Sequence, residues 1–122
     1  MIRIKLVVLL LFSISAIISC SSPVQKSYVI SESKTYEASL FRQNCAICHG
    51  PEAEGKTLGD GRIIPNIREG EHKYKTADAI YRHISDGGNG MVPFRDMLTK
   101  REIDLLVNFV QKDLRHDGTA SH

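Results

Sequence analysis

Cys45-Ala46-Ile47-Cys48-His49 is the stretch on which the reading of this 122-residue chain turns. Two thiols three positions apart, with an imidazole directly after the second, have the spacing of covalent haem attachment. Each thiol can add to one vinyl group of a porphyrin, and the short connection keeps both sulfurs along one edge of the ring. The imidazole that follows is then placed under the iron, where histidine commonly serves as proximal ligand. Two other chemistries use the same residue types. A redox Cys-x-x-Cys pair requires a preceding strand among alternating strands and helices, and no such alternation surrounds this segment. A structural zinc site needs two further Cys or His ligands at matching spacing, and the remaining cysteine, Cys20, sits in a targeting segment.

Upstream, residues 1–19 read as a signal peptide. Arg3 and Lys5 form a basic start, Leu6 to Ile18 an apolar run, and Ser19-Cys20 a small-residue cleavage site. That run is shorter than the roughly 17–25 apolar residues a membrane-crossing helix needs. Ile17-Ile18-Ser19-Cys20 resembles a bacterial lipobox, in which the cysteine is acylated and becomes the first residue of the mature protein. An ordinary signal peptide would instead leave an unpaired thiol at Cys20 in an exported protein, a poor fit to an oxidising compartment. Residues 20–34 are polar and are expected to form a tether from a lipid anchor at Cys20 to a domain spanning residues 35–114, the alternative being that Tyr28-Val29-Ile30 lies on the domain as a short extension. Residues 115–122 read as a polar tail.

The charge balance excludes one class of partner. The chain holds 16 Lys and Arg against 14 Asp and Glu, and two of the basic residues lie in the signal peptide, so the remainder is neutral overall. Nucleic-acid binding would need a clustered basic face, which the sequence does not offer.

Downstream, the pattern is helical with loops between. Tyr36, Leu40 and Phe41 suggest an apolar stripe on a helix capped by Ser33 or Thr35 and running into Cys45. Residues 50–71, rich in Gly, Pro and charge, read as loop. Thr76 to Ser85 reads as a short helix with Ala79, Ile80 and Ile84 on one face, ended by Gly87-Gly88. His83 on it reads as an exposed or hydrogen-bonded histidine. Thr99-Lys100-Arg101-Glu102 is a capping box, and Ile103, Leu106, Val107, Val110 and Leu114 follow at helical spacing.

The Cys-x-x-Cys-His motif, the later Gly90-Met91-Val92-Pro93-Phe94 segment and the final amphipathic helix together resemble a small single-haem c-type cytochrome of class I. The resemblance implies an all-α, cytochrome c-like fold: three to four short helices and loops wrapped around one haem c, bound through Cys45 and Cys48. It makes His49 the proximal iron ligand and Met91 the distal one, and has Pro65 offer its carbonyl to the second ring N–H of His49. Family members often carry proline directly after the methionine. Val92 stands there here, which leaves Met97 as a rival, although Met97 is better explained as packing. The resemblance also brings Phe109 against the first helix near Phe41.

With both axial positions filled, the expected role is electron transfer rather than catalysis. The expected partners are a redox protein donor and acceptor, met at a rim formed by Ala46, Ile47, Val92 and Phe94. The chain would act as a monomer or as a subunit of a respiratory complex, held to a membrane and facing the periplasm or cell exterior. Two alternatives stay open: a subunit permanently docked to a larger oxidase or reductase, and a gas- or peroxide-binding haem protein if Met91 is not a ligand.

Overall fold

Thr35 leaves extended backbone at φ −70°, ψ 156° and accepts a hydrogen bond from the Ala38 amide, so a helix starts one residue later. A computed structural model describes residues 27–115. Over that span α1 is Tyr36–Asn44, α2 Ala46–His49, α3 Ala77–Asp86 and α4 Lys100–Phe109. α3 and α4 start by the same device: the Thr76 hydroxyl accepts from the Ala79 amide, and Thr99 and Glu102 complete the capping box in both directions. Between α2 and α3 lies a small antiparallel pair, β1 Lys56–Thr57 with β2 Ile63–Ile64, pairing Lys56 with Ile64 and Thr57 with Ile63. Two residues per strand are too few to show an alternating pattern, which is why residues 50–71 read as loop throughout. No helix among the described residues is long and apolar enough to cross a membrane.

α4 is the centre of the packing and lies against both α1 and α3. Its Ile103, Leu106, Val107 and Phe109 are buried, as are Ile80 and Ile84 from α3. The Phe41 and Phe109 rings meet edge to face with centroids 6.1 Å apart, as the resemblance implied. After Phe109 the helix widens into a π-helical turn, Val110–Leu114, which keeps both Val110 and Leu114 in the core. Arg115 closes it by reaching the carbonyls of Ile67 and Tyr74.

One expectation is corrected on α1. Tyr36 does not line the buried stripe; it is exposed, and its hydroxyl donates to Glu102 of α4 at 2.5 Å. Ala38 takes the inward position together with Leu40 and Phe41, and Tyr36, at the first position of the helix, turns instead to Glu102.

The domain also begins earlier than Thr35. Ile30 is fully buried, and Tyr28 packs edge to face on Phe109 at 5.2 Å. A polar clamp holds this segment. The Glu52 carboxylate accepts the Ile30 and Ser31 amides at 2.7 and 2.8 Å. Arg42 donates to the carbonyls of Ile30 and Ser33, and Arg68 to the Tyr28 carbonyl and to Glu52. The expected tether over residues 20–34 therefore does not extend through Tyr28–Ser33. Cys20 and the signal segment, with the tail beyond Arg115, lie outside the described residues.

Candidate functional site

α1 hands its axis directly to the Cys-x-x-Cys-His segment. The Cys45 amide donates to Phe41 at 2.8 Å, closing α1, and the Cys45 carbonyl accepts the amides of both Cys48 and His49, at 3.1 and 2.9 Å. Cys45 and Cys48 thus stand one turn apart on the same side of a helix, the i, i+3 relation that brings two side chains together. Cys45 is half-buried against the core and burial pushes its thiol up to about 12; Cys48 is exposed. Gly50, at φ +85°, turns the chain away after His49.

Burial and, second, the nearby His83 both lower the pKa of the His49 ring, which favours its neutral form. Its Nδ1 is buried and has no hydrogen-bond partner. The bond to the Pro65 carbonyl that the resemblance implied is not formed, and Pro65 itself is exposed. What residues 64–66 do is pack on Gly55: a side chain there would come within 2.4 Å of the Ile64 carbonyl, so only glycine lets Gly55 reach back and donate to the His49 carbonyl.

Met91 is delivered by a tight hairpin. The amides and carbonyls of Gly88 and Met91 exchange two hydrogen bonds, 2.9 and 3.0 Å, across Asn89-Gly90, whose φ angles are +51° and +88°. This is the Asn-Gly turn whose twist suits two antiparallel strands. Gly87 is required for a related reason: a Cβ there would lie 2.5 Å from the Met91 carbonyl. That close approach is to the chain's own backbone. Met91 is half-buried against the core cluster, the same cluster on which Cys45 and Ala46 rest.

The other sequence expectations separate at this point. Met97 is 64% exposed, so packing does not explain it. Phe94 is buried and does not belong to an exposed rim, whereas Ile47 and Val92 are 75% and 59% exposed. His83 is half-buried and stacks on Tyr74 with centroids 4.1 Å apart. The Tyr74 hydroxyl in turn accepts from Asn89 Nδ2 at 2.7 Å. Tyr74 and Asn89 were not singled out from the sequence; the Asn-Gly dipeptide was the readable signal.

These residues fit a covalently held haem. A half-buried imidazole whose surroundings favour the neutral form, one residue after two thiols on the same side of a turn, is suited to a metal held with a porphyrin. No group of three or more His, Cys, Asp or Glu side chains converges to hold a metal ion by itself among the described residues. Fold and motif together define a small c-type cytochrome domain. Residues 36–110 match the family described as cytochrome c oxidase, cbb3-type, subunit III, and the chain belongs to that family. It is similar to the cbb3-type cytochrome c oxidase subunit FixP of Sinorhizobium medicae, with 34% identity over 84 residues, 60% of this chain. The chain spans about a quarter (27%) of that relative's length. Among solved structures it is similar to the KustC0563 c-type cytochrome, at 30% identity and a TM-score of 0.54, covering 63% of this chain and 95% of that one. The chain is a haem c electron-transfer protein with the cytochrome c-like fold.

Proposed function

We propose that His49 and Met91 are the two axial ligands of the haem, and that the domain passes single electrons within a cbb3-type oxidase assembly. The observation that carries the ligand assignment is the placement of His49, half-buried and directly after a cysteine pair on the same turn, where burial lowers its pKa and favours the neutral ring that binds a metal. Met91 is favoured over Met97 because it is half-buried on the cluster that supports Cys45, on a hairpin that fixes its backbone. Bound there, the haem supplies a one-electron couple whose potential His/Met ligation raises. The chain's own groups do the rest. Cys45 and Cys48 would fasten the ring, burial favours the neutral form of His49, and the exposed Ile47 and Val92 offer apolar surface for brief docking of a redox partner.

Membership of an oxidase subunit family supports the assembly. A second reading is a free shuttle between separate donor and acceptor proteins, which the exposed apolar Ile47 and Val92 would suit through brief docking. In either case the lipobox resemblance at Cys20 supports attachment to the outer face of a membrane.

The test is optical. Haem-loaded protein should show the sulfur-to-iron charge-transfer band when oxidised and should not bind carbon monoxide when reduced. Met91→Ala should lose the band and gain carbon monoxide binding, while Met97→Ala should do neither. Wild-type protein that binds carbon monoxide as readily as Met91→Ala would overturn the assignment. Co-purification with oxidase subunits, or its failure in mild detergent, decides between assembly and shuttle.

A further inference from the structure

Met91 has no side-chain hydrogen bond to hold it, so its position depends on the hairpin that carries it. That hairpin is fixed at both strands by the Gly88–Met91 pair, and at its tip by a contact from another part of the chain. Asn89, in the left-handed region at φ +51°, aims its Nδ2 at the Tyr74 hydroxyl 2.7 Å away. Tyr74 is itself well anchored. Its ring lies 4.1 Å from that of His83 at an interplanar angle of 23°, and its carbonyl accepts from Arg115 at 2.6 Å. It also packs against the core cluster.

We infer that Tyr74 and Asn89 are positioning residues for the distal ligand, a latch that ties the methionine hairpin to α3 and holds Met91 in place against competing ligands. The inference rests on Met91 being that ligand. The His83 ring gives the Tyr74 ring a flat seat on a rigid helix. The phenol oxygen then fixes the hairpin tip two residues from Met91. Breaking the latch leaves the hairpin's own two hydrogen bonds intact, so the fold survives while the methionine is less firmly held.

The experiment titrates imidazole into the oxidised, haem-loaded full chain and follows loss of the sulfur-to-iron charge-transfer band. Tyr74→Phe keeps the ring stack and removes the acceptor; Asn89→Gly tolerates the positive φ and removes the donor. Each is expected to bind imidazole about fivefold more tightly, corresponding to about 1 kcal/mol, the size of one net hydrogen bond. The double variant should go no further than either single one, since both break the same contact. Asn89→Asp, whose carboxylate can accept the phenol proton, should return to within twofold of wild type. Thermal unfolding run alongside distinguishes a general loss of stability, which would lower the midpoint without a selective gain in imidazole affinity. Single variants within twofold of wild type, with the band present, would overturn the latch. A wild-type protein without the band would overturn ligation by Met91, and the latch with it.

Discussion

Replacing Ile30 by Ala tests whether the segment before α1 belongs to the folded domain. The Ile30 side chain is fully buried, and Ile→Ala at such sites costs about 2–5 kcal/mol. Where in that range it falls depends on whether the surroundings can close over the cavity. Here the backbone is pinned on both sides, its amide by Glu52 at 2.7 Å and its carbonyl by Arg42 at 2.6 Å. Collapse is therefore restricted, and about 3 kcal/mol is expected. For a domain of this size each kcal/mol lowers Tm by about 4–8 °C, so the midpoint should fall by about 12–24 °C. The assay is far-UV circular dichroism of haem-loaded protein through thermal and urea unfolding. Val29→Ala is the control: Val29 is 37% exposed, and a change within about 0.5 kcal/mol is expected there. If Ile30→Ala were as mild as Val29→Ala, the segment would be a tether after all.

Two further outcomes are expected. Glu102 is held down to about 2 from the usual 4.5, first by the Tyr36 hydroxyl and then by the amide and hydroxyl of Thr99; because its folded pKa is depressed, the stabilisation is present above about 4.5 and is lost as pH falls toward about 2. Tyr36→Phe should raise the Glu102 pKa and move the onset of acid destabilisation to higher pH, which carboxylate NMR titration and acid unfolding would show; an unchanged titration would refute the Tyr36 contact. Thr99→Ala removes the cap of α4 and should cost about 1 kcal/mol, with Thr99→Ser close to wild type in the same denaturation assay.

What was legible in the sequence was local. Thr76 and Thr99 cap helices through amides three residues on, so a short window holds the whole signal. The Cys45–His49 spacing is likewise self-contained, and Phe41 against Phe109 followed from the family pattern. What was not legible depends on distant partners. Residues 20–34 alone leave open whether Tyr28-Val29-Ile30 packs on the domain, because what holds it there, Glu52 and Arg42 on the Ile30 backbone and Arg68 on the Tyr28 carbonyl, is distant in sequence. Phe94 turned out buried and Met97 exposed, since residues after a hairpin follow no period that marks the inward face. The Pro65 carbonyl is not bonded to the histidine ring, and the close approach of residues 64–66 to Gly55 leaves no pattern that a sequence shows.

The edge-to-face contacts of Tyr28 and Phe41 with Phe109 have a mechanical consequence. Tension entering through the chain upstream of Ser27 meets Tyr28 and Ile30 first, and from there the packed aromatic trio of the interior. The Phe41 carbonyl accepts the Cys45 amide, so a pull on the upstream chain would reach the cysteine segment only through the middle of the domain.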